Sequence, residues 1–136
     1  HKLSNQGIRL MRNLQENLPV VMGDAPQLEQ AFLNLILNAA EAMPSGGKLT
    51  IKSYSLDSKE EGKAARIVVE FKDTGVGMSE DQKRRAFKTM LVTTKAKGSG
   101  LGLAIVGRII ETHHGEIHIR SRKNNGTTIT VVFTAK

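Results

Sequence analysis

Leu28, Phe32, Leu35, Ile36, Ala39 and Met43 recur at spacings of three and four, an apolar stripe that predicts a helix from about Ala25 to Met43. Asp24 and Gln27 stand at the spacing of a capping box at its start, and Pro26 is tolerated in a first turn. The other face carries Gln27, Gln30, Asn34, Asn38 and Glu41. Asn is a poor helix former because its side chain competes for the backbone, so two of them one turn apart are unusual. Ser79-Glu80-Asp81-Gln82 repeats the capping box and opens a short helix of Lys and Arg. Leu103, Val106, Ile110 and His114 mark a third helix, which Gly115 is expected to end. Alternation of apolar and polar residues predicts strands at Ile67–Phe71, Glu116–Ser121 and Thr127–Phe133, with further candidates at Leu49–Tyr54, Ile8–Leu14 and Leu18–Met22. The polar stretch Asp57–Ala65 lies between two alternating runs and reads as a hairpin loop. This order predicts an α+β fold, a two-layer α/β sandwich in which about three helices cover one face of a mixed sheet of about five strands.

The chain has 136 residues, enough for one domain with a core of its own. No apolar run approaches the roughly 18 residues of a membrane span, and His1–Arg12 is too polar for the core of a signal peptide. The absence of Cys excludes disulfides, thiolate zinc sites, iron–sulfur clusters and Cys nucleophiles. With no Trp and 4% aromatics, a base-stacking nucleic-acid surface is disfavoured. The net charge of +7 calls for an anionic partner, with phosphates the first candidate. Lys83, Arg84, Arg85, Lys88, Lys95, Lys97 and Arg108 form a block without an intervening acid. Such a block is ordinarily a solvated face, but this one encloses a glycine-rich stretch.

Three constellations carry candidate chemistry. Asn34 and Asn38 lie one helical turn apart, and a side-chain amide oxygen is a hard neutral ligand that Mg²⁺ accepts. Amides that cap a neighbouring loop would give the same pattern. Asp73-Thr74-Gly75-Val76-Gly77-Met78 follows a strand; an Asp there, with glycines that let backbone come close, can accept a hydrogen bond from an exocyclic amine. Alone it is also compatible with a plain tight turn. Lys95-Ala96-Lys97-Gly98-Ser99-Gly100-Leu101-Gly102-Leu103 leads into a helix, so its backbone amides and the helix dipole can surround an anion. It lacks the spacing of a P-loop and of a Rossmann fingerprint.

In this order, NxxxN, DxGxG and a basic segment ending in GSGLGL resemble the catalytic ATP-binding domain of histidine kinases, in the superfamily of gyrase, Hsp90 and mismatch-repair ATPases known as the Bergerat fold. Asp24–Ala42 resembles the N box, Asp73–Gly77 the G1 box, Gly98–Leu103 the G2 box, and Thr93-Thr94-Lys95 the triplet that precedes it. Ala42–Gly47 resembles the nitrogen-regulatory type of sensor kinase. The resemblance implies ATP and Mg²⁺ as cofactors, with Asn38 on the metal and Asp73 on the adenine amine. Gly75, Gly77 and Met78 would shape the adenine pocket, with Thr127 beside it. Lys95 would reach the terminal phosphate, and Gly98, Ser99, Gly100, Leu101, Gly102 and Leu103 would hold the phosphates. Alternation puts Thr127 on a face with Ile129, Val131 and Phe133, independently of the resemblance.

Departures from the family pattern matter as well. ATP-hydrolysing members carry Glu where this chain has Asn34, and an amide cannot act as a general base, so Asn34 points to a kinase rather than an ATPase. The F box is irregular around Phe87, and Glu41 stands where many sensor kinases have Lys. No H-[ED]-x-[RK]-x-P acceptor motif occurs, and His113, His114 and His118 read as structural. Residues 1–17 are therefore expected to end a linker and hold a first strand, and 18–136 to form the catalytic domain. The implied partners are the protein's own dimerisation and phosphoacceptor domain and a response regulator, in a homodimer, without nucleic acid. The implied location is cytoplasmic, in a whole protein either membrane-anchored or soluble. An ATPase of the same superfamily and an anti-sigma serine kinase are the alternatives, and Lys88–Ser99 is expected to be a lid ordered by the γ-phosphate.

Overall fold

The computed structural model describes residues 7–16, 18, 23–57, 64–91 and 101–135. Its elements are β1 (Ile8–Leu14), α1 (Ala25–Glu41), β2 (Gly47–Leu56), β3 (Arg66–Asp73), α2 (Glu80–Leu91), α3 (Leu101–Thr112), β4 (Glu116–Ser121) and β5 (Thr127–Thr134). The strands form one mixed sheet in the order β1-β2-β3-β5-β4, with β1 and β2 parallel and the remaining pairs antiparallel. The α+β arrangement agrees with the expected five strands and three helices. Of the strand candidates, Leu18–Met22 falls mostly outside the described residues, and Leu18 itself is not in a strand.

The core fills the space between α1, α3 and one face of the sheet. Leu35 and Ala31 of α1 meet Val106, Ile109 and Ile110 of α3 and Phe71, Ile129, Val131 and Phe133 of the strands. Phe32 packs on Phe71 and Phe133 with ring centroids 5.6 and 6.4 Å away, as the apolar stripes required. A second cluster, Ile8, Ala39, Ala40, Met43 and Leu49, seals α1 onto β1 and β2. No helix among the described residues is long and apolar enough to cross a membrane.

The helix ends follow the sequence with two corrections. Asp24 caps α1 by accepting the Gln27 amide at 3.1 Å, but its own amide is bonded by His113 Nε2, not by the Gln27 side chain. The second capping box is complete: the Gln82 amide donates to Ser79 Oγ at 3.1 Å, and the Ser79 amide to Gln82 Oε1 at 2.9 Å. α3 ends through His114 rather than Gly115. His114 takes the left-handed conformation (φ 56°), its amide bonds Glu111 O and the Gly115 amide bonds Ile110 O, which together make a Schellman motif. Gly115 suits its position for a different reason: a Cβ there would crowd the Val132 carbonyl oxygen at 3.0 Å.

Candidate nucleotide site

Among the described residues four polar side chains are buried, and three of them lie side by side across the sheet. In register, Asp73 of β3 faces Thr127 of β5, which faces Ser121 of β4. This row closes one end of the core. Asp73 is only 6% exposed, and its Oδ1 accepts the amides of Gly75 at 2.8 Å and Thr127 at 3.2 Å. Oδ2 accepts no hydrogen bond among the described residues and is left for a donor in the cleft. Burial pushes the carboxyl above the ordinary aspartate range, and the two amides oppose that shift in part.

Ser121, which no sequence motif singled out, holds this row together. Its hydroxyl donates to Gly126 O at 3.0 Å, accepts the Met78 amide at 2.8 Å, and lies 2.8 Å from Thr127 Oγ1. With the Ser121 proton committed to Gly126, Thr127 must donate to Ser121, and lone pairs of Thr127 remain for a ligand. Ser121 shares a strand face with Ile117 and Ile119, but its position at the strand end gives no sign of burial.

The loop from Asp73 to Met78 is threaded between two walls. Val76 N bonds Ala42 O at 3.0 Å, and Asn124 N bonds Val76 O at 2.6 Å. A Cβ on Gly75 would stand 2.4 Å from Ala42 O, and one on Gly77 1.9 Å from Arg122 O, with Gly77 at φ 69°. No side chain fits at either position, so the DxGxG spacing is dictated by close backbone approach on both sides.

Above this row opens a cleft of about 530 Å³. Leu35, Ala39, Phe71 and Ile129 form its apolar floor beside Asp73 and Thr127. Asn38, Glu41 and Ala42 of α1 form one wall, and Gln82, Arg85, Ala86 and Thr89 of α2 the other, with Val76, Gly77, Met78 and Leu103 closing the ends. Of the residues singled out from sequence, Asn38, Asp73, Gly77, Met78, Leu103 and Thr127 line this cleft. Gly75 lies behind it in the threaded loop. Asn34 is half-buried and does not line the cleft. Gly102 lies in the first turn of α3, which Leu101 opens. Lys95, Gly98, Ser99, Gly100 and most of the expected lid lie outside the described residues. A second depression of about 540 Å³, between Phe87, α3 and β4, contains none of these residues.

An apolar floor beside a buried carboxylate suits a heteroaromatic ring with an amine at its edge. Residues 23–136 match the family described as histidine kinase-, DNA gyrase B- and HSP90-like ATPases. The chain belongs to this family. It is 34% identical over 134 residues to sporulation kinase E of Bacillus subtilis (strain 168), covering 98% of this chain and 17% of that protein. It is 37% identical over 128 residues to the sensor histidine kinase ZraS of Escherichia coli (strain K12), covering 94% of this chain and 26% of that one. Among solved structures, it resembles the mycobacterial sensor histidine kinase MprB with a TM-score of 0.76 and 26% identity, over 99% of this chain and 85% of the other. The catalytic domain of the histidine kinase ThkA, in a nucleotide-free form, matches with a TM-score of 0.76 and 27% identity, over 98% and 83%. The chain thus spans about a sixth to a quarter of these two curated kinases and has the fold of the ThkA catalytic domain.

Proposed function

We propose that this chain is the ATP-binding catalytic domain of a sensor histidine kinase, passing the γ-phosphoryl group of ATP to a His on a separate dimerisation domain, with a response regulator as the later acceptor. The observation that carries this reading is Asp73: a buried carboxylate in the cleft lining, with Oδ1 held by two amides and Oδ2 without a partner among the described residues. That arrangement reads an exocyclic amine and discriminates against a carbonyl at the same place. ATP supplies a phosphoryl group whose transfer depends on positioning and charge neutralisation rather than on covalent help from the protein. Asn38, on the α1 wall, is the residue suited to hold Mg²⁺ through its amide oxygen, and Thr127 borders the base. Lys95 and the backbone amides from Gly98 to Leu103 are proposed to receive the phosphates.

Two of the histidines have structural roles, which is consistent with an acceptor on another domain. His113 has both ring nitrogens engaged by backbone, and His114 is the left-handed residue of a helix cap. Asn34 supplies no base to activate water, so phosphoryl transfer to water should be slow. The wider assembly follows as part of the same proposal: a homodimer joined through the dimerisation domain, with the catalytic domain in the cytoplasm. The likeness of Ala42–Gly47 to nitrogen-regulatory kinases makes that subtype the proposed affiliation.

Thermal melts with Mg²⁺–ADP test the nucleotide site. At a ligand concentration 100 times Kd, stabilisation by about 2.7 kcal/mol should raise the midpoint by roughly 10 °C. An unchanged midpoint at millimolar nucleotide overturns the reading. With γ-labelled ATP the chain alone should stay unlabelled, and a cognate dimerisation domain added in trans should be labelled on His. Rapid hydrolysis by the chain alone would instead point to an ATPase.

A further inference from the structure

We infer that Arg85 meets the phosphate chain of the bound nucleotide, a role resting on the nucleotide reading above. α2 presents Gln82, Arg85 and Thr89 to the cleft, residues that share a helix face by their spacing of three and four. Among the described residues that line the cleft, the acids are Asp73 and Glu41 and the only base is Arg85. Adenine nucleotides are polyanions, and a cleft with an excess of carboxylates repels them unless a cation is present. Arg85 is the cation this part of the chain provides.

Its position along the cleft agrees. The loop that would read the base is pinned to α1 through the bond of Val76 to Ala42 O and leads into α2 through Met78 and Ser79. Asn38 lies four residues back from Ala42, about 6 Å along the α1 axis, and Arg85 five residues into α2, about 7.5 Å from its start. Both are thus a turn or more from the points where this loop meets α1 and enters α2, on opposing walls. A base seated on Asp73 directs its phosphates into that interval.

The guanidinium is also available. Arg85 Nη2 lies 3.2 Å from Asp81 Oδ2 one turn earlier, with the two side chains 71% and 66% exposed. An exposed pair of this kind contributes at most about 1 kcal/mol. A phosphate offers the planar fork two charge-assisted hydrogen bonds, so exchange from Asp81 to the nucleotide is favourable. Asp81 keeps a cation after the exchange, since Arg84 Nη2 lies 3.5 Å from its Oδ1.

Binding of AMP, ADP and the non-hydrolysable analogue AMPPNP to the chain, to Arg85→Ala and to Arg85→Lys tests this. Arg85→Ala should weaken ADP and AMPPNP about tenfold while AMP changes less than twofold. Arg85→Lys, which keeps the charge but not the fork, should lose part of that factor. The decisive quantity is the ratio of AMP to ADP dissociation constants, which a purely structural role leaves unmoved. An unchanged ratio in Arg85→Ala, whether all three ligands bind as before or all weaken together, overturns the inference. If the unsubstituted chain binds none of the three, the nucleotide reading itself fails, and this inference fails with it.

Discussion

The Asp24 amide donates to His113 Nε2 at 2.9 Å, joining residues 89 positions apart. His113 Nδ1 lies 2.8 Å from Ile109 O, and a carbonyl can only accept, so Nδ1 carries the proton and Nε2 is the lone pair that receives the Asp24 N–H. One neutral imidazole thereby ties the start of α1 to the end of α3, the two helices that cover the core. The fit is close, since a Cβ on Gly23 would lie 2.5 Å from the ring. His113→Ala removes both hydrogen bonds and should cost about 2 kcal/mol. A lower urea midpoint with an unchanged slope checks it; an unchanged midpoint would show that the tie contributes nothing.

Asp73→Asn separates the two consequences of burying that carboxyl. Because burial raises its native pKa, the folded chain takes up this proton more readily than the unfolded chain. The contribution to stability is fully present below the unfolded value and is lost as pH rises through the native one. Asn cannot ionise and keeps an oxygen for the Gly75 and Thr127 amides. The ligand-free variant should therefore match the parent in acid and equal or exceed it at neutral pH. Urea midpoints from about pH 3 to about pH 8 read this difference.

Nucleotide affinity should follow the opposite slope. A protonated carboxyl, or the amide nitrogen of Asn, meets the adenine amine as donor against donor. Binding should weaken as pH falls through the raised Asp73 value, and Asp73→Asn should lose at least about tenfold for ADP at neutral pH with little change for pyrophosphate. A titration in which ADP and pyrophosphate lose affinity equally would remove Asp73 from the base site.

Glycines at the two ends of the site should behave differently. Gly77→Ala places a methyl against Arg122 O at a positive φ and should cost about 3 kcal/mol or more. Gly102→Ala meets no described atom within 4 Å, so the ligand-free protein should gain up to about 1 kcal/mol in helix stability. If phosphates approach the first turn of α3, that gain comes with weaker ADP binding. Denaturation and calorimetric titration of both variants decide it; a more stable Gly102→Ala with undiminished affinity would place the phosphates elsewhere.

Ser121→Ala leaves the Met78 amide and the Gly126 carbonyl without their buried partner. The expected cost is about 2–3 kcal/mol, together with weaker adenine binding as Thr127 loses its acceptor. Hydrogen exchange at Met78 should quicken in the variant. Full protection there would show that Ser121 is not what holds the loop.

Much of this protein is legible in its sequence because much of it is set by neighbours a few residues apart. The stripe through Leu28, Leu35 and Ala39, the capping box at Ser79 and the alternation from Thr127 to Phe133 each record a helical or strand period, and each forms where it is read. The steric demand on Gly75 and Gly77 also shows in the spacing of the motif, although its cause, the carbonyls of Ala42 and Arg122, lies elsewhere in the chain. Long-range pairing decided the rest. Strand register alone sets Asp73, Thr127 and Ser121 in one row, and the packing of α1 against α3 gives the Asp24 amide to His113 instead of to Gln27. Asn34 and Asn38 share a helix face, but only Asn38 lines the cleft, which meets α1 between Leu35 and Glu41. Arg85 is one of three consecutive basic residues in the sequence, and the rotation of α2 about its axis selects it to line the cleft. Periodicity defines which residues share a face; what that face meets depends on the packing of elements distant along the chain, which no local pattern encodes.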